Sequence, residues 1–522
     1  MNLQQHRELV KGLQAWLERR AGECERVETH ISSVLLAGDS AWKLKKPLDL
    51  GFLDFSTLER RLHFCREEIR LNRRLEPDIY LDVQPVTGTP AEPRLGGEGD
   101  AIEYAVHMRR FDQDGLLSRH PALLTPQRVD RLALRLARFH AEIDRCGPDQ
   151  PWGTAGKVLA PMLENFRQIR ALRPGVDSAT RLDPLEGWTR QRHRVLAPFI
   201  DRRRDAGHVR ECHGDLHLGN IAVDGERLII FDGIEFNPEL RWIDTVSELA
   251  FLLMDLDEKR YPSLGWRLLN RYLELSGDYG GLRLLRFYQC YRAMVRAKVA
   301  AIGLQQGFSE RLEQEFLDYL ELAAGYTAPL QPALFITHGF SGSGKSTETD
   351  RLMAGLPAIR LRSDIERKRL AGLAGDERSG AAPDQGIYSV EFTRRTYARL
   401  LDLARDLLQA GFPVIVDATF LQRQQREPFY RLAGRLDVPC VILDFRVPEA
   451  ELRRRVVARA RRGGDASEAD LTILERQLAS AVPLADGERE MAWETAHPHR
   501  LDVDGLREYL SGLRREAGWT PG

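Results

Sequence analysis

Several features are absent from this 522-residue sequence, and each absence excludes a class of protein. No run of 18 apolar residues occurs, and the nearest candidate, ELAFLLMDLD, is short and flanked by acids, so no membrane-spanning helix is predicted. No apolar stretch follows the opening MNLQQHRELVKG, so we expect no secretion signal. The six cysteines are far apart and form no C-x-x-C pair, which disfavours zinc sites and disulfide frameworks. We therefore expect a cytoplasmic protein with reduced thiols.

Net charge is also nearly absent. Lys and Arg number 76 against 77 Asp and Glu, which gives a formal net charge of -1. The overall field therefore gives no reason to expect nucleic acid or an anionic membrane as the main partner. Hydrophobic residues at 43% and charged residues at 29% are ordinary for a globular chain. At roughly 150 residues per domain, the length predicts two to four folding units.

The order of patterns along the chain predicts an α+β part followed by an α/β part. Two strands around an Ala-Gly-Asp-Ser turn are predicted over 33–46, a helix over 57–75 and a strand over 104–108. Mostly helical sequence follows from Gln127, and two prolines mark a break at 327–332. After the break, strands such as ALFITHG, PVIVDAT and CVILDFRV alternate with helices, which favours a parallel sheet wound by helices. The predicted divisions are a small strand-rich lobe at 1–107, a helical lobe at 108–326, a linker at 327–332 and the α/β domain at 333–522.

A phosphate-binding loop is predicted at the start of the α/β domain. Residues 339–346, GFSGSGKS, fit G-x-x-x-x-G-K-[ST] between a buried strand and a helix. The glycines let backbone N–H groups turn around phosphate oxygens, and the helix N-terminus adds positive potential. Lys345 would then reach the β- and γ-phosphates, and Ser346 would offer its hydroxyl to Mg²⁺. The predicted nucleotide-binding residues here are Gly339, Gly342, Ser343, Gly344, Lys345, Ser346 and Thr347.

Two acids follow strands of the same domain. Asp417 ends the strand VIVD, where a carboxylate can hold the Mg²⁺ of a P-loop site; a turn-capping Asp is the alternative. Asp364 follows AIRLR and is a candidate base for the acceptor hydroxyl. It could instead only favour a helix N-terminus, since Ser363 and Glu366 have the spacing of a capping box.

Arginines further along could cover the transferring phosphate. Arg455 and Arg459 are four residues apart on a predicted helix and hence on one face. They could form a lid over the nucleotide, and a solvated basic helix is the alternative.

These segments resemble the zeta-toxin/gluconate-kinase-like group of P-loop kinases over roughly residues 333–480. The resemblance is carried by GFSGSGKST, RSDIERK, VIVDATF and RRRVVARARRGGDASEAD. The S-D-x-x-R element also looks like that of phage polynucleotide kinase. That resemblance implies that Asp364 faces the acceptor hydroxyl and Arg367 an acceptor phosphate.

A second phosphotransfer motif precedes the break. His213-Gly214-Asp215-Leu216-His217-Leu218-Gly219-Asn220 places an Asp and an Asn five residues apart, and Asp232 follows twelve residues later, after the strand LIIF. This is the spacing of a protein-kinase catalytic loop and its metal-binding Asp. The two histidines could suggest a metal site, but with no third ligand nearby we expect them to pack the loop.

The nucleotide of this site needs a cation for its phosphates and an acid to hold that cation. Lys43 and Lys45 lie on one face of a predicted strand, and the next helix offers Glu67 and Glu68. We prefer Lys43 with Glu68, while Lys45 or Glu67 could be the true partner and a solvated Lys/Glu surface is the alternative.

This part resembles the aminoglycoside phosphotransferase family, itself related to protein kinases, over roughly residues 30–325. HGDLHLGN and IIFDG carry the resemblance. It implies a bilobal protein-kinase-like fold, Asp215 as the base, Asn220 and Asp232 as metal ligands, and an adenine hinge lined by residues 108–111, Met108 first. Two departures stand out: no G-x-G-x-x-G loop precedes Lys43, and no acidic aminoglycoside-cradling segment ends the domain.

The leading interpretation is a bifunctional ATP- and Mg²⁺-dependent kinase that acts on small-molecule hydroxyls of the sugar, aminoglycoside or nucleotide-sugar type. In a second interpretation the N-terminal domain is a catalytically silent binding module and only the P-loop domain turns over. In a third the P-loop domain is a nucleic-acid 5′-hydroxyl kinase. The complete set of Asp215, Asn220 and Asp232 favours a catalytically active N-terminal domain over a silent one. The nearly neutral net charge disfavours the nucleic-acid kinase.

Overall fold

The computed structural model describes residues 1–51, 53–307, 309–375, 377, 385–462, 470–495 and 501–516. Residues 463–469, which include the end of the arginine-rich motif, lie outside the described residues. The chain divides into two compact units. The first unit comprises residues 1–128, 138–255 and 291–320, and the second comprises 129–137, 256–290 and 321–522. The predicted domain limits, with a linker at 327–332, stay a prediction.

A six-stranded antiparallel sheet opens the first unit, in the order β1-β2-β3-β6-β4-β5. Its strands are β1 (Glu25–Glu28), β2 (Ser32–Ala37), β3 (Ser40–Lys45), β4 (Tyr80–Gly88), β5 (Pro93–Leu95) and β6 (Glu103–Arg109). β2 and β3 form the predicted hairpin, with Ala37 opposite Ser40 across a Gly38-Asp39 turn. Gly38 has a φ of 55°, which glycine adopts without strain.

Two shorter sheets complete the strands of the first unit. They pair β7 (Val209–Glu211) with β10 (Trp242–Asp244), and β8 (Ile221–Asp224) with β9 (Arg227–Ile230). The β8–β9 hairpin lies between Asn220 and Asp232, as the loop-and-hairpin pattern predicts. The spacing of twelve residues from Asn220 to Asp232 is therefore filled by this one hairpin.

The helices before residue 330 follow the predicted helical patterns except α1, which the sequence analysis did not predict. They are α1 (Leu3–Ala21), α2 (Leu58–Asn72), α3 (Pro126–Glu142), α4 (Ala155–Leu172), α5 (Asp183–Asp205), α6 (Pro238–Arg241), α7 (Thr245–Glu258), α8 (Pro262–Ser276), α9 (Leu285–Gln306) and α10 (Glu310–Thr327). Thr57 caps α2 by accepting a hydrogen bond from the backbone N–H of Arg60. None of the helices in the described part of the chain is long and apolar enough to cross a membrane.

A five-stranded parallel sheet forms the centre of the second unit, in the order β12-β13-β11-β14-β15. Its strands are β11 (Leu334–His338), β12 (Ile359–Arg362), β13 (Val414–Asp417), β14 (Cys440–Asp444) and β15 (Ala492–Glu494). Their apolar side chains are buried on the sheet, as Phe335, Ile415 and Leu443 are. Because β11 lies in the middle, the loop after it opens at the carboxyl edge beside the end of β13.

Helices lie between these strands and after the last of them. They are α11 (Lys345–Gly355), α12 (Ser363–Leu370), α13 (Val390–Gln409), α14 (Arg423–Leu436), α15 (Glu449–Arg462), α16 (Leu471–Ser480), α17 (Asp486–Arg489) and α18 (Val503–Glu516). The alternation of strand and helix confirms the predicted α/β class for this part and the kinase-like α+β class for the part before it.

The capping box expected at Ser363 and Glu366 is wrong. α12 begins at Ser363 itself, with Arg362 at the N-cap and no side-chain cap bond. Glu366 is fully buried and its carboxylate pairs with Arg369 instead. The side chain therefore points into the unit and not back to the helix N-terminus.

Candidate active sites

The catalytic loop of the first unit brings Asp215 and Asn220 together. The Asn220 Nδ2 donates to the Asp215 carbonyl oxygen at 2.9 Å and to its Oδ2 at 3.1 Å. The amide oxygen of Asn220 is therefore the atom that could serve as a metal ligand. The Asp215 carboxylate remains partly open, with a side-chain exposure of 37%.

Buried acids from α7 hold this loop by its backbone. The Gly214 N–H donates to Glu248 Oε1 at 2.8 Å, and the Leu218 N–H donates to Asp255 Oδ2 at 2.8 Å. Glu248 Oε2 also pairs with His140 Nε2 at 2.7 Å. The sequence analysis missed all three side chains, because they lie far from the motif and carry no recognisable spacing of their own.

The histidines of the motif act on Asp215. Burial would raise the pKa of Asp215, but His217 at 3.3 Å, His213 and Arg292 outweigh it and hold the pKa well below its usual value. The carboxylate is therefore ionised across the physiological range. His213 donates from Nε2 to the Phe231 carbonyl at 2.9 Å, so it ties the loop to β9, as expected for a packing residue.

Asp232 follows β9 in a strained conformation. Its φ is 65°, a left-handed value that is rare for a residue other than glycine. Its N–H donates to the Tyr80 hydroxyl at 3.0 Å, and the next N–H, of Gly233, donates to Asn72 Oδ1 at 2.8 Å. Such strain persists only where neighbours impose it and is concentrated at functional sites. The Asp232 carboxylate is 41% exposed and can take a ligand.

Both candidate lysines contact Glu68. The Nζ of Lys43 lies 2.9 Å from Glu68 Oε1, and the Nζ of Lys45 lies 2.6 Å from Oε2. Burial would raise the pKa of Glu68, but the two lysines outweigh it and lower the pKa to about 2. Glu67 lies elsewhere and pairs with Arg70 at 2.9 Å.

The two lysines differ in their second partner. Lys43 also pairs with Asp232, whereas Lys45 pairs with Glu235, a buried acid that the sequence analysis did not single out. Lys45 is fully buried by these acids. Only Lys43 therefore touches a predicted metal ligand, which favours it as the cation for the nucleotide phosphates.

The Met108 side chain at the end of β6 packs with apolar residues at the predicted hinge. It belongs to a cluster with Phe111 and Phe231, and these two rings lie 4.9 Å apart. Val106 and Ile229 belong to the buried part of this cluster. An apolar surface of this kind suits an adenine ring.

The phosphate loop of the second unit is closed around Lys345. The lysine Nζ donates to the carbonyl oxygens of Gly339 at 2.9 Å and Phe340 at 2.7 Å. Gly344, at a φ of 91°, permits the turn into α11. At Gly342 a Cβ atom would come within 2.9 Å of the Val456 side chain, so glycine is also required for space.

The predicted metal pair of this loop is in hydrogen-bond contact. Ser346 Oγ donates to Asp417 Oδ2 at 2.8 Å. Burial lowers the pKa of Lys345 to about 8, even though Asp417 and Asp364 act in the opposite direction. An anionic phosphate would favour the charged lysine.

A cavity of about 1280 Å³ surrounds this loop. It is larger than a typical ligand pocket of roughly 300–1,000 Å³, so it has room for a nucleotide and an acceptor. Apart from Gly339, the predicted site residues of this domain all line it: Gly342, Ser343, Gly344, Lys345, Ser346, Thr347, Asp364, Arg367, Asp417, Arg455 and Arg459. The lining also includes Gln477, which the sequence analysis missed and which accepts a hydrogen bond from the Ser341 N–H at 2.9 Å.

Arg367 is the most unusual cation of the cavity. It is 8% exposed, and its hydrogen-bond acceptors within the described residues are neutral: the Ile387 carbonyl at 2.7 Å and Thr393 Oγ1 at 3.1 Å. Its Nε is buried without a partner in the same part of the chain. A buried guanidinium is costly unless it is paired, so this arrangement suits an anionic ligand.

Arg455 and Arg459 come from α15. Arg455 pairs with Glu451 at 2.5 Å, and its Nη1 lies 3.5 Å from where a Cβ of Gly344 would be. The positive charge of Arg459 lowers the pKa of Lys345. Both side chains therefore reach the phosphate loop.

Two family models match the chain. A model described as "Phosphotransferase enzyme family" matches residues 60–285, and one described as "AAA domain" matches residues 334–484. The second match contains the phosphate-loop site, and the first contains Glu68, Asp215, Asn220 and Asp232 but begins after Lys43.

One curated relative is similar over almost its whole length. The uncharacterized protein Rv2004c of Mycobacterium tuberculosis is 33% identical over 499 residues, which cover 93% of each chain. The chain belongs to the family of this mycobacterial protein. Its two kinase-type domains make it an ATP-dependent phosphotransferase.

Solved structures show distant likenesses to each part. A choline/ethanolamine kinase family protein from Mesorhizobium loti is 12% identical, with a TM-score of 0.39, and covers 61% of this chain and 94% of its own. A gluconokinase from Sinorhizobium meliloti 1021 is 19% identical, with a TM-score of 0.24, and covers 36% and 95%. At these TM-scores the two likenesses add nothing to the assignment.

Proposed function

We propose that the protein is a bifunctional kinase with one site in each unit, here named the kinase-like site and the P-loop site. Each site transfers the γ-phosphate of ATP to a hydroxyl of a small molecule of the sugar, aminoglycoside or nucleotide-sugar type. The observation that carries the proposal is that both constellations are assembled at once: Asp215 with Asn220 in one unit, and Ser346 with Asp417 in the other.

The donor sets of both sites suit Mg²⁺. Asn220 and Asp232 would hold it in the kinase-like site, and Ser346 and Asp417 in the P-loop site; all four offer oxygen atoms, which this hard cation prefers. When bound, the metal neutralises charge on the β- and γ-phosphates. The chain itself supplies Lys43 and Lys345 as further cations for these phosphates.

In the kinase-like site, Asp215 orients the acceptor hydroxyl and accepts its proton as the phosphoryl group moves. Because His217 and its other neighbours keep the carboxylate ionised, it is ready to accept a hydrogen bond at neutral pH. A low pKa makes it a weak base, so positioning contributes more than proton abstraction. Glu248 and Asp255 hold the catalytic loop in place. This support favours an active kinase-like site over a silent binding module.

In the P-loop site, Asp364 is the proposed base, and Arg455 and Arg459 stabilise the charge on the transferring phosphate. Arg367 would bind the acceptor. Among the described residues, the hydrogen-bond acceptors of this buried guanidinium are all neutral. We therefore propose that the substrate that accepts the phosphoryl group carries a phosphate or carboxylate of its own. A cationic aminoglycoside is therefore disfavoured as the acceptor of this site.

The state of the cysteines bears on the cellular compartment of the protein. All six cysteines are free, which fits a reducing compartment, and we propose a cytoplasmic protein. We expect no nucleic-acid partner, because the net charge is -1.

The test is phosphoryl transfer to pools of sugars, sugar acids, nucleotide sugars, aminoglycosides and oligonucleotides, followed by ³¹P NMR. We expect a phosphorylated small molecule whose formation requires Lys345 or Asp215. Phosphorylated oligonucleotides alone would support the 5′-hydroxyl kinase instead. Phosphorylated products that still form in a double variant with Lys345→Ala and Asp215→Asn would contradict the proposal.

A further inference from the structure

The second unit contains a helix that its phosphate-binding motif does not predict. α8 (Pro262–Ser276) lies within the match to the phosphotransferase model, yet it belongs to the compact unit of the parallel sheet. Two of its contacts reach β12 and a third reaches Arg369 of α12.

The first contact is at the free edge of β12. This strand pairs with β13 on one side, and its other edge exposes the Ala358 carbonyl and the Arg360 N–H. Asn270 of α8 satisfies both groups: its Nδ2 donates to Ala358 O at 3.0 Å, and its Oδ1 accepts from Arg360 N at 2.7 Å. The side-chain amide thus replaces a neighbouring strand at an edge that would otherwise stay unpaired.

The second contact is a buried ion pair. Arg360 Nη2 lies 2.7 Å from Glu274 Oε1, and the two side chains are 6% and 2% exposed. Burial would raise the pKa of Glu274, but Arg360 and Arg362 outweigh it and hold the pKa below its usual value. Both partners therefore stay charged inside the protein.

The third contact surrounds Arg369. Its Nη2 donates to the Glu274 carbonyl oxygen at 2.6 Å, and its guanidinium lies 5.9 Å from the Tyr279 ring. Gly277 ends α8 with a φ of 74°, and a Cβ there would come within 2.7 Å of Arg369 Nε. Only glycine fits this helix end.

Arg360 connects this helix to the phosphate loop. Its Nη1 donates to the Ser346 carbonyl oxygen at 3.2 Å and to Thr349 Oγ1 at 3.2 Å. It also pairs with Asp350 at 2.6 Å. The guanidinium therefore supports the first turn of α11, the turn whose Ser346 hydroxyl faces Asp417 at 2.8 Å.

We propose that α8 is a working part of the P-loop site and that Glu274 is a positioning residue for it. Glu274 fixes the Arg360 guanidinium, and Arg360 fixes the turn that presents the Ser346 hydroxyl to Asp417 and a metal. Glu274 touches no reacting atom. The inference rests on the proposed nucleotide site at the P-loop.

The test uses the full-length chain with Asp215→Asn, so that the kinase-like site is silenced. In this background Glu274→Gln should raise the Mg²⁺ concentration for half-maximal ATP turnover roughly tenfold, the size expected for one hydrogen bond to a charged group. Glu321→Gln is the matched control, because Glu321 is exposed on α10 of the same unit. It should leave the Mg²⁺ requirement unchanged. A Mg²⁺ requirement unchanged by Glu274→Gln would reduce Glu274 to a structural role and overturn the proposal.

A second variant guards against misfolding, because removing one partner of a buried ion pair is strongly destabilising. Glu274→Gln combined with Arg360→Met removes both charges and should fold, yet it should still raise the Mg²⁺ requirement, since the contact with Ser346 is lost. A double variant with the parental requirement would overturn the proposal.

Hydrogen exchange separates this inference from the proposed function. Backbone amides over 345–350 should exchange about tenfold faster in Glu274→Gln than in its parent, while those of α14 should not change. If the parent shows no turnover that depends on Lys345, the proposed function fails, and the exchange result still decides the inference. Equal exchange over 345–350 in variant and parent would overturn it.

Discussion

The reactive lysine of the second unit is held by the backbone of its own loop, whereas the catalytic loop of the first unit is held by side chains from distant segments. Lys345 is held by carbonyl oxygens of its own loop, at Gly339 and Phe340. Asp215 instead depends on Glu248 and Asp255, which lie more than thirty residues away and bond to the loop N–H groups. A contiguous motif therefore defines the backbone cradle around Lys345, while the kinase-like motif defines only its reactive groups and not the acids that hold them.

The difference predicts where single substitutions act. Lys345→Ala should lower turnover at the P-loop site by roughly 10²-fold or more, because a cation at the β- and γ-phosphates is lost. The assay is ATP turnover of the full-length chain in an Asp215→Asn background. Turnover that survives Lys345→Ala in this background would show that the loop is not the catalytic phosphate site.

The kinase-like site should be sensitive to its remote support. Glu248→Ala leaves the buried Gly214 N–H without its acceptor, which should cost about 2–3 kcal/mol of stability. We expect a lower melting temperature and faster hydrogen exchange over 213–220. Glu142→Ala, at an exposed position of α3, is the control and should change stability by less than about 0.5 kcal/mol. Equal effects of the two variants would contradict a supporting role for Glu248.

The P-loop site should respond to pH through Lys345. Burial lowers the pKa of this lysine to about 8, and bound phosphate favours its charged form. The affinity for MgATP should therefore be constant below pH 8 and fall by about tenfold per pH unit above it, until the pKa of the complex is reached. Calorimetric titration on both sides of pH 8 measures this. Lys345→Arg stays charged and should lose the pH dependence; a dependence that persists would assign it to another group.

The smallest effect is expected at the proposed linker over 327–332. A protease should cut there, because residues 328–332 follow α10 and have no regular structure. The two pieces should nevertheless co-elute in gel filtration under native conditions, because residues 256–290 belong to the compact unit of the parallel sheet. Separate elution would show that the contacts of α8 with β12 are weak.

The sequence predicts many elements of both units and the groups that would touch phosphate, but not α1, β1, β4 or β5. Strand alternation identified β11 and β13, and the spacing of Asp215, Asn220 and Asp232 identified a loop and a hairpin. It preferred Lys43 with Glu68 but left Lys45 open, because both lysines lie on one strand face. In the structure both lysines contact Glu68, and of the two only Lys43 contacts Asp232.

Other features depend on contacts between distant positions. Glu235, Glu248, Asn270 and Glu274 are polar residues that act through tertiary burial, and no local pattern marks a buried acid. The capping box at Ser363 failed for the same reason, since Glu366 found a buried partner in Arg369. Local spacing is therefore reliable for backbone-built sites and incomplete for sites built from remote side chains.

The central claim is that both sites turn over ATP, and one comparison tests it directly. Lys345→Ala silences the P-loop site, and ATP turnover is then measured with and without Asp215→Asn. We expect residual turnover in Lys345→Ala that falls by roughly 10²–10⁴-fold when Asp215→Asn is added, the range for a group that orients and deprotonates the acceptor. Residual turnover that is absent, or unchanged by Asp215→Asn, would contradict the claim and leave the kinase-like unit a binding module.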